Sequence, residues 1–188
     1  MSPSDYPQGA GGILVVTGPA GAGKSVTADL IAASIPHKTS RLSTDDIRDF
    51  VRSGYADPSE GWTADVIEQV QLARSIARDA ATRYAELGYL AVVDDIVSPS
   101  EPHLGPDHWI VAGVRTQFLV LFPSWEQVVE RNRARMGFRL LAKPHLRAVY
   151  DMMRSWQLHD HGQTLIDNSA MGIEETARAA VDRLGLVG

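Results

Sequence analysis

The sequence predicts an α/β fold of three layers, with helices on both faces of a central parallel sheet of about five strands. Three observations predict it. Short apolar runs alternate with helix-period stretches along the chain, the pattern of β-α-β units. Residues 18–25, Gly-Pro-Ala-Gly-Ala-Gly-Lys-Ser, fit G-x-x-x-x-G-K-[ST] between a strand pattern and a helix pattern. Two aspartate pairs, Asp45-Asp46 and Asp94-Asp95, fall at the carboxyl ends of expected strands, where ligands of such sheets bind.

Taken in order, Ile13 to Val16 form an unbroken apolar run and predict a buried first strand. A helix over 24–34 follows and stops before Pro36, which disfavours helix at Ile35. A weakly hydrophobic second strand over 38–42 leads to a short helix ending near Arg52, then to a Gly- and Pro-containing loop over 53–61. A long helix is expected over 63–87, with one apolar face formed by Val66, Val70, Ala73, Ala77, Ala80, Tyr84 and Leu87, and Gly88 as its stop. The third strand covers 89–93, and 107–114 holds a further short strand or turn. A fourth strand over 117–122 precedes a helix over 125–135, where Ser124 and Gln127 suit a capping box. A proline-started helix over 144–156, a last strand over 164–167 and a last helix over 173–184 complete the chain.

With 188 residues the chain suits one domain, expected over 12–188, after a loose Ser-, Pro- and Gly-rich tail over 1–11. A net charge of −5 gives no broad electrostatic footprint for nucleic acid or an anionic membrane, so nucleic acid is not expected as a partner. Zero cysteines exclude disulfides and thiolate metal sites and fit a cytoplasmic protein. No apolar run approaches a membrane span, and the opening residues lack a signal peptide's pattern. A monomer and a homodimer are equally compatible with these properties.

The chemistry starts at residues 18–25, a P-loop. Gly18, Pro19, Ala20, Gly21, Ala22 and Gly23 bring backbone N–H groups toward phosphate oxygens, and the first helix, through Val26, adds its N-terminal dipole. Lys24 reaches the β- and γ-phosphates, and the Ser25 hydroxyl suits Mg²⁺. ATP or GTP with Mg²⁺ is therefore the expected ligand. Asp45 stands where it can face an acceptor hydroxyl, with Arg48 one turn later on the same face for a polar or anionic group. A helix-capping role for Asp45 or Asp46 is the competing reading. Asp94 ends an apolar strand as a Walker B carboxylate does, suited to Mg²⁺, and Asp95 then points toward the acceptor; the two roles are open to exchange. Arg131, Arg133 and Arg135 cluster at a helix end, and Arg131 and Arg135 share a face that can close over a triphosphate as an Arg-rich lid around 131–145. Trp62 lies in the loop flanking the expected acceptor pocket. His159-Asp160-His161 reads as a polar loop, because no further ligands stand at metal-binding spacing.

The set formed by 18–25, Asp45-Asp46-Ile47-Arg48, Asp94-Asp95 and Arg131 to Arg135 resembles the small P-loop kinases, over roughly 12–187. It is similar to polynucleotide kinase domains, chloramphenicol phosphotransferase and adenylylsulfate kinases. The resemblance implies the P-loop nucleoside triphosphate hydrolase fold and transfer of a γ-phosphoryl group to a hydroxyl. Asp45-Asp46-Ile47-Arg48 resembles the D-D-Y-R segment of polynucleotide kinases, which implies Asp45 as general base and Arg48 as acceptor contact. The same resemblance places Arg131 and Arg135 on the donor phosphates, with Lys24 and Arg135 assisting catalysis. Asp94-Asp95-Ile96 resembles the D-D-V of chloramphenicol phosphotransferase. It implies a small-molecule acceptor, an antibiotic of the chloramphenicol or capuramycin kind, as the first expectation. Polynucleotide 5′-hydroxyl, sugar-acid and nucleotide kinases are the alternatives within enzymes, and a nucleotide-binding switch is the alternative outside them.

Overall fold

The computed structural model describes residues 11–134 and 141–186. Nearly all of the expected tail, and Arg135, lie outside the described residues. Five strands, β1 (Gly12–Thr17), β2 (Thr39–Ser43), β3 (Leu90–Asp94), β4 (Arg115–Leu121) and β5 (Thr164–Ile166), form one sheet in the order β2-β3-β1-β4-β5. Every pairing is parallel. Among the described residues, six helices connect and cover them: α1 (Lys24–Ser34), α2 (Thr44–Arg48), α3 (Ala64–Glu86), α4 (Trp125–Arg133), α5 (Lys143–Met153) and α6 (Ile173–Leu184).

The side-chain alternation of β1 builds both faces of the core. Leu14 and Val16 point to one face, against Ala28 and Ile31 of α1 and Ala177, Ala180 and Val181 of α6. Ile13 and Val15 point to the other, against Ala77, Ala81 and Ala85 of α3 and the rings of Trp109, Phe118 and Trp156. A strand covered on both faces reads as a continuous apolar run, which is what made it legible. The three-layer α/β arrangement expected from the sequence is the one observed.

Several local expectations are corrected. The buried stripe of α3 runs through Val66, Val70, Ala73, Arg74, Ala77, Ala81 and Ala85. Tyr84 and Leu87 are exposed, because a stripe with steps of three and four drifts around a long helix and the buried line settled on the small alanines beside β1. Helix α2 ends at Arg48, and Ser43 rather than either aspartate caps it: its side chain accepts from the Asp46 N–H. Of the short strand or turn expected over 107–114, the turn is what forms, a 3₁₀ turn over Pro106–Trp109. Helix α5 gives way to a 3₁₀ turn, Arg154–Gln157, which seats Trp156 in the core with its Nε1–H donated to the Val97 carbonyl at 2.6 Å. Ser124 caps α4 as expected, but the capping box is only half formed. The Gln127 amide turns to Glu130, and the Ser124 N–H donates instead to Ser169 Oγ at 2.7 Å.

Candidate active site

The carboxyl ends of β1, β2 and β3 lie side by side, in register Ser43 with Asp94 and Asp94 with Val16. That places the P-loop after β1, Asp45 after β2, and Asp94 with Asp95 at the end of β3 around one opening. A cavity of about 810 Å³ fills it, lined by Lys24 and Ser25, by Asp94, and by Asp45 and Arg48.

The P-loop owes its shape to glycine. Gly18 has φ +150°, and a Cβ there would stand 2.2 Å from the Leu121 carbonyl oxygen of neighbouring β4. Gly23 adopts the left-handed conformation at the start of α1. The N-terminus of α1 has no side-chain cap and no acidic residue in its first turn, unlike α2, α3 and α4, each capped by Ser or Thr. Uncapped N–H groups and an uncompensated dipole suit a phosphate. Lys24 folds back over its own loop, its Nζ donating to the Gly18 and Pro19 carbonyls at 3.1 and 3.3 Å. Val26 is half-exposed on the first turn of α1.

Asp94 is buried, and burial pushes its carboxyl above the usual carboxylate range. The Lys24 charge, a hydrogen bond with Ser25 and the Arg41 guanidinium pull it back in part. Arg41, on β2, reaches Asp94 at 3.4 Å, Asp46 at 3.3 Å and Asp29 of α1 at 2.8 Å. Nothing in the linear pattern marked Arg41; only the β2–β3 pairing brings it to the site. Ser25 and Asp94 are oxygen donors in contact beside the P-loop, a donor set that fits Mg²⁺ completed by phosphate oxygens and water. Among the described residues no group of three or more His, Cys, Asp or Glu is placed to hold a metal by itself, the 159–161 loop included.

Asp45 is solvent-accessible, its side chain 78% exposed, with Arg48 Nη1 3.9 Å from Oδ1. Arg48 is 8% exposed. Its Nη2 donates to the Tyr55 hydroxyl and the Ala56 carbonyl, and its guanidinium lies over the Tyr55 ring. Trp62, 51% exposed, lines the same cavity.

Asp95 departs from expectation. Its carboxylate, 4% exposed, accepts from Thr44 Oγ1 at 2.9 Å, Arg74 Nε at 2.8 Å and Trp109 Nε1 at 2.9 Å. With both oxygens engaged it supports the pocket and is not free to bind an acceptor. Arg74 continues the network by donating to the His103 and Gly105 carbonyls, which fixes the loop carrying Leu104. A signal for Arg74 existed: it is the charged residue within the apolar stripe of α3. Arg131 departs too. It donates to the Ala22 and Asn168 carbonyls and does not line the cavity, so in this state it ties the P-loop to the end of β5. Asn168 makes a parallel tie, Nδ2 to the Ala22 carbonyl at 2.9 Å.

A family model described as an AAA domain, AAA_33, matches residues 13–158. The chain belongs to this family. The matched span of the AAA domain takes in the P-loop, the β2–α2 junction, the end of β3 and all of α4, which leaves β5 and α6 beyond it. No curated protein sequence matches the chain. Among solved structures, a gluconokinase from Sinorhizobium meliloti 1021 is similar with a TM-score of 0.68 and 21% identity, covering 95% of this AAA domain chain and 94% of that one. A sugar kinase from Janibacter sp. HTCC2649 gives 0.67 and 16%, covering 94% and 96%. A tunicamycin resistance protein from Deinococcus radiodurans gives 0.60 and 20%, covering 94% and 97%. At such identities the likeness establishes a shared fold.

Proposed function

We propose that this chain is a kinase that transfers the γ-phosphoryl group of ATP, or GTP, to a hydroxyl of a small molecule. One observation carries the reading: a single cavity is lined at once by the P-loop Lys24 and Ser25, by Asp94, and by an accessible Asp45 beside Arg48. A switch needs only the first half of that cavity. The sugar kinase and gluconokinase among the similar structures support the same class.

In this reading Lys24, released from the loop carbonyls, and the N–H groups at the start of α1 hold the β- and γ-phosphates. Ser25 and Asp94 hold Mg²⁺, which when bound neutralises phosphate charge and orients the γ-phosphate. Asp45 accepts the acceptor's proton as its oxygen bonds to the γ-phosphorus; the bond from that phosphorus to the β–γ bridging oxygen breaks and the nucleoside diphosphate leaves. Arg131 and Asn168, at the junction of P-loop and β5, border the nucleotide base, and Arg135 completes a lid over the phosphates. Trp62 and Arg48 shape the acceptor end, with Asp95 acting through Thr44 and Arg74.

An antibiotic is the preferred acceptor class, supported by the chloramphenicol phosphotransferase-like Asp94-Asp95 pair and by the tunicamycin resistance protein of the same fold. The working place of the enzyme is taken to be the cytoplasm; no described helix is long and apolar enough to cross a membrane. Purified protein with Mg²⁺-ATP and a panel of hydroxylated antibiotics, sugars and sugar acids tests the reading by mass spectrometry. One acceptor should gain the mass of a single phosphoryl group. Nucleotide binding without transfer to any of them counts for the switch.

A further inference from the structure

The chain between α2 and α3, residues 49–63, supplies one wall of the cavity through Tyr55, Asp57, Ser59 and Trp62. Its one regular piece is the 3₁₀ turn Pro58–Glu60, which the Asp57 side chain starts by accepting from the Ser59 N–H at 2.8 Å. A long connection without strand or helix makes few bonds of its own, so its backbone groups need partners from outside.

Two helices supply them, and they meet at Ala56. Gln69 of α3 accepts from the Ala56 N–H at 3.0 Å and donates to the Gly54 carbonyl at 2.7 Å. A side-chain amide that takes one residue's carbonyl and the N–H two residues on does what a neighbouring strand does in a sheet. Arg48 of α2 takes the remaining group: its Nη2 donates to the Ala56 carbonyl at 3.1 Å and to the Tyr55 hydroxyl at 3.0 Å. Ala56 also packs against the cluster of Val66, Val70 and Leu104. Gln69 itself does not line the cavity.

We propose that Gln69 is a positioning residue for the acceptor, holding the 49–63 wall through Gly54 and Ala56 so that Tyr55 and Trp62 are in place before the acceptor arrives. The inference rests on the kinase reading and deepens it. Lys24, Ser25 and Asp94 stand on α1 and β3 and make no bond to this wall's anchor. Loss of Gln69 therefore falls on acceptor binding, which must then order the wall itself, and spares the nucleotide.

The test is Gln69→Ala beside the unaltered full chain, read first by NMR hydrogen exchange without any acceptor. The Ala56 amide should be protected in the unaltered chain and exchange about tenfold faster in the variant, with β1 amides unchanged. Equal Ala56 exchange in the two chains overturns the proposal, and so does faster exchange spread evenly through β1. With the acceptor found by screening, the variant should raise the acceptor KM about three- to tenfold and keep kcat and Mg²⁺-ATP affinity within about twofold. An unchanged KM, or a loss in kcat alone, overturns the assignment. If no acceptor is found, the kinase reading fails by itself, and the exchange result alone decides whether Gln69 holds the wall.

Discussion

At the scale of single residues, the site asks for charge in a place where water has been removed. Asp94 sits buried at the end of β3 with its pKa raised above the ordinary carboxylate value, desolvation being the main cause. A raised folded-state pKa means that this group favours folding while it is protonated and that the benefit is lost as pH rises through the folded value. The ionised carboxylate that Mg²⁺ requires therefore works against the ligand-free fold at neutral pH. Asp94→Asn should raise the melting temperature of the nucleotide-free protein at pH 7, and the gain should shrink as pH falls toward 4. The same variant should lose most Mg²⁺-ATP turnover. Equal melting temperatures at both pH values would show that Asp94 carries no such burden. Gly18 is a second residue-scale case. Its Cβ would meet a main-chain oxygen of the adjacent strand, which cannot move independently of the sheet. Gly18→Ala should both destabilise the protein and abolish nucleotide binding, read by thermal unfolding with and without Mg²⁺-ATP.

At the scale of elements, three helices are closed at their N-termini by their own side chains, and of the three that are not, α1 opens on the cavity with its first two residues, Lys24 and Ser25. Ser43, Thr63 and Ser124 cap α2, α3 and α4 with their own oxygens, whereas α1 begins at a left-handed glycine and has no side-chain cap. Helix α3 carries the other decisive element, the buried ion pair of Arg74 with Asp95, 2% and 4% exposed. Removing one member of such a pair leaves a buried charge alone. Arg74→Ala should cost about 3–5 kcal/mol in urea unfolding, and Arg74→Met with Asp95→Asn should recover much of it. If Arg74→Ala cost under about 1 kcal/mol, the pair would not be what holds the 103–105 loop.

These elements also show where the sequence was legible. The strand-loop-helix of residues 13–34 could be read because local rules decide it: an apolar run, glycines and a helix period. Asp45 and Asp94 could be placed because strand ends gather in a parallel sheet. Arg41 could not, since its importance comes from pairing between β2 and β3, separated by some fifty residues of chain. Asp95 was misassigned for a related reason. Its partners lie on α2, α3 and the Pro106–Trp109 turn, and no local pattern announces three donors converging from three elements.

At the scale of the whole molecule, the sheet order β2-β3-β1-β4-β5 sets the P-loop after β1 beside the ends of β2 and β3; in the proposed reading this puts the donor beside the acceptor and leaves β4 and β5 to the nucleotide side. The net charge of −5 argues against polynucleotides at this scale, as the acidic lining does within the pocket. A fluorescent 5′-hydroxyl oligonucleotide should show no rise in anisotropy with this protein at 50 mM salt; saturable binding there would revive the polynucleotide alternative. What joins the three scales is the facing of Asp45 and the P-loop across one cavity. The direct measurement is Asp45→Asn beside the unaltered chain, comparing nucleotide affinity with phosphoryl transfer to the acceptor found by screening. The account predicts unchanged affinity for Mg²⁺-ATP and a rate lower by about 10²–10⁴. Turnover that survives the substitution would contradict it.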